Sequence, residues 1–174
     1  LYDKGFCTVD QLRKGAKSGK VKLTHGMEIG LKYYDDLNEK IPRAEVTEIK
    51  NYVKRFANKV NEGMVAECVG SYRRGKEKSG DIDIFLYNKS IHDESKLIQI
   101  MKSLVELLKK TKFLKDDLTK RFTTSYMGVC QYGAGKHRHI DIKIWTPCEL
   151  PFALLYFTGS AHFNRSMRHY ANRI

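Results

Sequence analysis

The sequence predicts an α+β fold in which helices back a mixed or antiparallel sheet. Apolar side chains in residues 43–60 recur at the three- and four-residue spacing of an amphipathic helix. Residues 82–87 and 136–145 instead contain isoleucines at alternate positions, as strands with one buried face do. We therefore expect these strands to form the centre of the fold and the helices to cover them.

The composition bounds the class of protein and its partners. A chain of 174 residues can bury the core of one ordinary domain. It has 32 Lys and Arg against 20 Asp and Glu, a net charge of +12. This excess favours a polyanionic partner, nucleic acid ahead of an acidic membrane surface, although a solvated basic surface has the same composition. No apolar run approaches the length of a membrane span. The cysteines lack paired spacing, which argues against zinc and disulfides and fits a reducing compartment.

The N-terminal part is predicted to be helical. A short helix is expected over 6–12, and the lysines after it could contact phosphates or simply be solvated. A second helix is expected over 27–37, where Tyr34 belongs to the apolar stripe and Pro42 marks the end. A third helix covers 43–60, and its expected core positions are Val46, Ile49, Val53, Phe56 and Val60.

The middle of the chain is predicted to supply the sheet. Residues 64–69 and 82–87 are expected to be buried strands, and a loop follows at 88–93. Residues 123–131 and 136–145 are expected to form a hairpin through a turn at 132–135. The helix that should cover one face of the sheet is marked by Leu97, Met101, Leu104 and Leu108.

The last residues are predicted to form two helices. The first spans 151–157, and the second begins after a break, with Ser160 as its cap. We expect a buried stripe of Phe163, Met167 and Tyr170 on this helix. Another face carries Asn164, Arg165 and Arg168, which suit contacts with a base edge, a sugar or a phosphate. Because the chain begins without Met and ends within a helical pattern, we expect it to be part of a longer protein.

A short motif carries the chemistry. Gly70-Ser71 can bring backbone N–H groups against an anion, and Arg74 can grip that anion with two hydrogen bonds. Asp81 and Asp83 alternate with isoleucine, so both carboxylates should point to one face of a strand. Oxygen ligands without a thiolate favour magnesium or manganese. The motif predicts a site for a polyphosphate and its metal ions, whereas an isolated Asp-x-Asp pair could be a polar strand end.

A third acidic residue lies in the last predicted strand. Asp141 should point to the same side as His139 and Lys143, with isoleucines on the other side. It could be a lone carboxylate paired with Lys143 or Arg138. We favour a third metal ligand beside the first two, because an acid in a core-like strand needs a partner.

These motifs resemble the X-family DNA polymerases. The resemblance rests on Gly-Ser-Tyr-Arg-Arg-Gly at 70–75 with Gly-Asp-Ile-Asp at 80–83, on His-Ile-Asp-Ile at 139–142, and on residues 155–168. Residues 29–34 and 41–43 also match, so it covers nearly the whole chain. It implies a nucleotidyltransferase palm at 43–147, a partial helical DNA-binding subdomain at 1–42, and the start of a helical nucleotide-selecting lobe at 148–174.

The resemblance also implies roles for individual residues. Asp81, Asp83 and Asp141 would hold two magnesium or manganese ions, with Asp141 nearest the primer 3′-hydroxyl. The Gly159–Ser160 bond would be cis, and Tyr156 and Phe157 would disfavour a ribonucleotide. DNA would contact Arg138, His139, Lys143, Arg165 and Arg168. The nucleotide would contact Arg43, Gly70, Ser71, Arg74, Ser79, Gly80, Tyr156, Phe157, Gly159, Ala161 and Asn164.

The implied function is templated addition of deoxynucleotides to a primer 3′-hydroxyl in short-gap repair, by base excision repair or end joining. Its partners would be gapped or primed DNA, deoxynucleoside triphosphates and repair proteins, for a nuclear monomer with no membrane contact. The family's lyase domain and helix-hairpin-helix turn do not match this chain. A template-independent transferase remains an alternative, although Tyr156-Phe157 and the short connection from Arg121 to Tyr126 argue against it. A non-catalytic DNA-binding module is the other alternative.

Overall fold

A computed structural model describes residues 5–121 and 123–174. Its helices are α1 (Val9–Lys17), α2 (His25–Lys32), α3 (Tyr34–Asn38), α4 (Arg43–Val60), α5 (Gly70–Arg73), α6 (Glu94–Lys110), α7 (Leu150–Thr158) and α8 (Ala161–Ala171). Its strands are β1 (Ile41–Pro42), β2 (Val65–Cys68), β3 (Lys78–Ser79), β4 (Ile82–Tyr87), β5 (Leu114–Asp117), β6 (Ser125–Gln131) and β7 (His137–Trp145).

The larger sheet has five strands in the order β2-β4-β7-β6-β5. β4 and β7 run parallel, and the other neighbours are antiparallel. β1 and β3 form a separate two-stranded pair. The sheet is therefore mixed, which confirms the predicted α+β class, and the predicted hairpin is β6–β7.

One face of the sheet, called here the helix face, is covered by α4 and α6. Both helices present apolar stripes because their buried residues recur every three or four positions. The even-numbered positions of β7 from Arg138 to Ile144 are all buried on this side. Each aliphatic side chain buried there stabilises the fold by about 1.5–3 kcal/mol. The predicted cores of 43–60 and of the helix at 94–110 are confirmed, except that Val60 is only half-buried.

The opposite face, called here the carboxylate face, is covered by the described residues only at its two sides. On one side Val129 of β6 packs against Ile29 and Tyr33 from the N-terminal helices. On the other side Phe85 of β4 packs against Ala153 of α7. The strip between these two clusters contains the polar side chains of β4 and β7.

The N-terminal helices differ from the prediction. The first helix begins at Val9, where Thr8 and Gln11 form a capping box, and it extends to Lys17. The helix expected over 27–37 is two helices that meet at Tyr33. Tyr33 is buried, and its hydroxyl donates to Asp116, 2.5 Å away, on the edge strand of the sheet. Tyr34, expected in the buried stripe, is instead 40% exposed.

Strand β5 and the exposed face of α8 also differ from the prediction. Strand β5 was not predicted, because it has a single buried residue, Leu114, and no alternating pattern. The buried stripe expected on the last helix is wrong: Phe163 and Tyr170 are 44% and 67% exposed, and α8 has no buried residue. Among the described residues nothing packs over that face. The cap at Ser160 is confirmed, since its hydroxyl accepts from the Phe163 amide.

Phe122, in the connection from Arg121 to Tyr126, lies outside the described residues. The helices within the described ranges are too short or too polar to cross a bilayer.

Candidate active site

Two of the predicted carboxylates lie side by side on the carboxylate face. Asp83 of β4 is paired in register with Asp141 of β7, and both strands run in the same direction. Directly opposed residues of neighbouring strands point to the same face. Asp81 stands just before β4 and is exposed. Two strands that are far apart in the sequence therefore bring the acidic residues together.

The carboxylates influence one another electrostatically. The pKa of Asp83 is raised from its ordinary 3.8 to about 7, first because its carboxylate is buried, and then because Asp81 and Asp141 repel its charge. The Lys143 ammonium opposes this shift. A pKa raised by burial and like charges is common at functional sites.

Asp141 has a cationic partner on its own strand. The Lys143 Nζ atom donates to both carboxylate oxygens of Asp141, at 2.9 Å each, and to the Ser125 hydroxyl at 3.0 Å. The side chains of Lys143 and Asp141 are only 16% and 15% exposed. The pairing considered as an alternative for Asp141 is therefore present, and it coexists with the neighbouring Asp83.

The oxygen donors suit a divalent cation, although they are not already arranged as a metal site. Within residues 5–121 and 123–174 no three carboxylate, imidazole or thiol groups stand together in the form of a metal site. The Lys143 ammonium already holds Asp141, and the pKa of Asp83 is raised by burial and then by repulsion from Asp81 and Asp141. A dication would offset that repulsion, and oxygen-only donors select magnesium or manganese. The metal role of the three aspartates stays a prediction.

The Gly-Ser turn lies against the carboxylates. Gly70 has φ +60°, and a Cβ atom there would lie 2.6 Å from the Asp83 Oδ2 atom. A side chain at position 70 would therefore displace the carboxylate, so glycine is required by both conformation and space. The Ser71 and Ser79 hydroxyls are 3.1 Å apart, and Ser79 is buried. Gly80 is exposed next to them.

Two arginines brace this turn. The Arg43 Nη1 atom donates to the Tyr72 carbonyl at 2.7 Å, and its guanidinium lies 3.9 Å from the centre of the Tyr72 ring. The Arg74 Nη1 atom donates to the Thr158 carbonyl at 2.7 Å, which joins the turn to the end of α7. Both arginine residues are exposed. The nucleotide contacts expected of Arg43 and Arg74 remain predictions.

The end of α7 places aromatic rings over the same face. The Phe157 ring lies 5.1 Å from the Phe85 ring, and the Tyr156 ring, 5.3 Å from Phe157, is 41% exposed. The Asn164 Nδ2 atom donates to the Tyr156 carbonyl at 2.7 Å, so α8 is tied to the last turn of α7. The peptide bond between Gly159 and Ser160 is cis.

The remaining predicted residues of α8 line an open surface. Ala161 is exposed at its start, and Arg165 and Arg168 border a shallow depression of about 490 Å³. His139 is half-buried on the carboxylate face, two residues before Asp141 in β7. Their contacts with nucleotide or DNA remain predictions.

Arg138, expected at the DNA surface, has a different position. It is only 5% exposed, and its Nε and Nη2 atoms donate to the two oxygens of Glu45 at 2.7 and 2.9 Å. Its Nη1 atom faces the Asp36 and Glu39 carbonyls. An even-numbered residue of β7 points to the helix face, so Arg138 joins β7, α4 and α3 and is corrected to a structural role.

Sequence reasoning also missed the rings beneath Phe157. Phe85 is buried on the carboxylate face two positions after Asp83, and Trp145 lies 5.4 Å from it. Both rings are at odd-numbered positions of their strands, as Asp83 and Asp141 are, and therefore point to the same face. That alternation was the available signal that α7 would pack beside the carboxylates.

A mixed sheet whose central parallel strands present carboxylates beside a Gly-Ser turn defines a nucleotidyltransferase palm. A sequence model described as DNA polymerase beta palm matches residues 40–147. Models described as the fingers domain of DNA polymerase lambda and as DNA polymerase beta thumb match residues 1–38 and 153–173. The chain belongs to the X family of DNA polymerases.

Individual relatives agree with this assignment. DNA polymerase lambda of Rattus norvegicus is 40% identical over 174 residues, which cover 96% of this chain and 29% of the relative. DNA polymerase lambda of Arabidopsis thaliana is 34% identical, over 97% and 32%. The DNA polymerase type-X family protein pol4 of Schizosaccharomyces pombe is 25% identical, over 98% and 34%. The chain thus spans 29–34% of the length of these relatives.

Proposed function

We propose that this chain is the catalytic part of a DNA-directed DNA polymerase that adds deoxynucleotides to a primer 3′-hydroxyl in short-gap repair. The observation that supports this most is the register of β4 and β7, which pairs Asp83 with Asp141 on the open face of the sheet. The names of the relatives and the excess of basic residues agree with a DNA substrate.

The three aspartates are proposed to hold two magnesium ions, with manganese as a substitute. Divalent cations suit the oxygen-only donors, and they would stabilise the Asp83 carboxylate, whose pKa is raised by burial and then by the negative charges beside it. When bound, such ions would lower the pKa of the primer hydroxyl and neutralise charge on the phosphates. Lys143 holds Asp141 until a cation or the primer takes its place.

The protein's own groups would position the reactants. The Gly70-Ser71 turn offers backbone N–H groups to the triphosphate, next to Ser79 and Gly80. Arg43, bonded to the Tyr72 carbonyl of that turn, and Arg74, bonded to the Thr158 carbonyl of α7, would add charge to the same phosphates. Fixed donors of this kind accelerate phosphoryl transfer by positioning and by stabilising charge.

Sugar and base selection are proposed for the end of α7 and the start of α8. The Tyr156 ring is exposed and its carbonyl is held by Asn164, so the backbone at this position is fixed. A 2′-hydroxyl would meet that fixed backbone. Gly159 and Ala161 leave room for the nucleotide, while Arg165 and Arg168 reach outward towards the template. His139 and Lys143 lie on the path of the primer strand.

We propose a division into a helical DNA-binding subdomain at 1–42, the palm at 43–147 and the start of the nucleotide-selecting lobe at 148–174. The separate apolar clusters at the two sides of the carboxylate face support this division. Gapped DNA and deoxynucleoside triphosphates are the proposed substrates of a nuclear, monomeric enzyme that meets other repair proteins.

Nucleotide incorporation into one-nucleotide-gapped DNA tests this proposal. The chain is assayed alone and in place of the matching segment of the rat relative, with and without a template, with ribo- and deoxynucleotides. We expect templated, magnesium-dependent incorporation of deoxynucleotides that Asp141→Ala abolishes. Equal incorporation without a template would favour a terminal transferase. DNA binding without any metal-dependent incorporation would leave only a DNA-binding module.

A further inference from the structure

A groove lies on the far edge of the sheet, away from the carboxylates. Two adjoining depressions of about 520 and 550 Å³ share Tyr52 of α4 and Tyr132 of the β6–β7 turn. We name the two depressions together the edge groove. Phe113, just before β5, is buried in its floor, and Tyr132 is 37% exposed at its rim. The Tyr52 ring lies 4.8 Å from Phe113 and 5.4 Å from Tyr132.

The edge groove is separate from the candidate active site. Tyr52 and Phe113 belong to the core on the helix face, whereas Asp83 and Asp141 lie on the carboxylate face. In the order β2-β4-β7-β6-β5, β5 is two strands from β7 and three from β4, roughly 10 and 14 Å along the sheet. The residues that line the groove therefore do not include the carboxylates.

The rim of the groove is basic. Lys112, Lys115 and Arg55 line it and are exposed, and among the described residues none of them pairs with a carboxylate. The neighbouring Lys109, in contrast, is paired with Asp117. Glu48 is the acidic residue of the lining within the described part of the chain. Three cations against one carboxylate favour an anionic occupant.

Lys112 occupies a backbone position that costs free energy. Its φ is +59°, and it ends α6 with the Lys112 amide bonded to the Lys109 carbonyl and the Phe113 amide bonded to the Leu108 carbonyl. This is the Schellman arrangement, in which the left-handed position is usually glycine. A lysine there keeps a strained backbone and points a cation at the groove, which suggests a use for its side chain.

We propose that the edge groove binds an unpaired nucleic-acid strand outside the catalytic cleft, with phosphates on Lys112, Lys115 and Arg55 and a base against the Tyr132 ring. Exposed aromatic rings interleaved with cations bind single strands without sequence preference. An amphipathic peptide would instead need aliphatic contacts. Among the described lining residues there is no Leu, Ile, Val or Met.

Binding of a fluorescent oligo-dT strand tests this site, with excess one-nucleotide-gapped duplex without single-stranded tails present to occupy the carboxylate face. We expect Tyr132→Ala to weaken binding about fivefold or more, through loss of one stacked base. Lys112→Gly should lower the slope of log K against log salt by about 0.7, as expected for one phosphate contact with a single strand. Because glycine relieves the positive φ, this variant should melt at the same temperature as the parent or higher.

Lys102→Ala is the matched control, because Lys102 is exposed on α6 and does not line the groove. It removes the same charge and should change binding less than Lys112→Gly does. An oligonucleotide with 5-iodouracil should photo-crosslink to the peptide that contains Tyr132. The proposal is overturned if the crosslinks are confined to other peptides, or if Lys112→Gly and Lys102→Ala bind oligo-dT equally. It is also overturned if Lys112→Gly binds poly-glutamate, a polyanion without bases, more weakly than the parent but binds oligo-dT as the parent does. None of these readouts depends on nucleotide incorporation.

Discussion

Two ion pairs on strand β7 have opposite surroundings. Arg138 on the helix face is 5% exposed and joins Glu45 of α4 through two hydrogen bonds, with backbone carbonyls around its third nitrogen. Lys143 on the carboxylate face pairs with Asp141 of the same strand and with Ser125. The first pair connects three elements of the fold. The second is local, and its acid stands in register with a second carboxylate, Asp83.

The difference separates charges that hold the fold from charges that can exchange partners. Removing one member of a buried pair leaves a desolvated charge, so such a pair is costly to break. We expect a bound cation to take the place of Lys143 at Asp141, because the carboxylates of Asp83 and Asp141 repel each other. We therefore expect variants at the first pair to affect stability and variants at the second to affect ion binding and chemistry.

The largest expected effect is that of Asp83→Ala. Ligands of the reacting ions contribute several kcal/mol to the transition state. With the variant chain in place of the matching segment of the rat relative, incorporation should therefore fall at least ~100-fold. The fold should not suffer, since Asp83 is buried among like charges. Glu106→Ala, an exposed acid on α6, is the control. Turnover within tenfold of the parent would contradict a ligand role, as would a large loss of affinity for gapped DNA.

Breaking the structural pair should mainly lower stability. Arg138→Met leaves Glu45 without its partner, and we expect a loss of about 3 kcal/mol in the free energy of unfolding, measured by urea titration. The double variant Arg138→Met with Glu45→Met should recover much of this loss, because an apolar pair needs no compensation. If Arg138→Met is as stable as the parent yet binds DNA more weakly, Arg138 is a DNA contact after all.

Gly70→Ala, compared with Gly75→Ala, should distinguish the effect of backbone strain on activity from the effect of displacing the Asp83 carboxylate. Its Cβ atom would lie 2.6 Å from the Asp83 Oδ2 atom, so the carboxylate must move and incorporation should drop about tenfold or more. Gly75→Ala is the matched control, since Gly75 also has positive φ but nothing lies within 4 Å of its added Cβ. Similar activities for the two variants would show that the approach of Gly70 to Asp83 is unimportant.

The smallest effect is expected for Lys143→Met. A cation that binds Asp141 must displace the Lys143 ammonium, so manganese should bind several-fold more tightly without it, as measured by calorimetry. Lys102→Met is the charge-matched control. Weaker manganese binding by Lys143→Met would mean that Lys143 supports the site instead of competing for it.

The sequence predicted the parts of the fold that have a strong period. The three-four spacing located α4 and α6, and the alternation in 82–84 and 139–144 placed Asp83 and Asp141 on one face. The same alternation places Arg138 with Ile140, so its assignment to a DNA surface conflicted with a pattern already visible. Strand β5 and the break at Tyr33 depend on tertiary contacts, such as the bond from Tyr33 to Asp116, which no local pattern records.

The central claim concerns cation binding by acids from two strands, and a manganese titration followed by electron paramagnetic resonance tests it without any assay of activity. The parent and Glu106→Gln should bind manganese equally, and Asp141→Asn and Asp83→Asn should each lose most of that binding. If both aspartate variants bind manganese as the parent does, these carboxylates do not form the metal site.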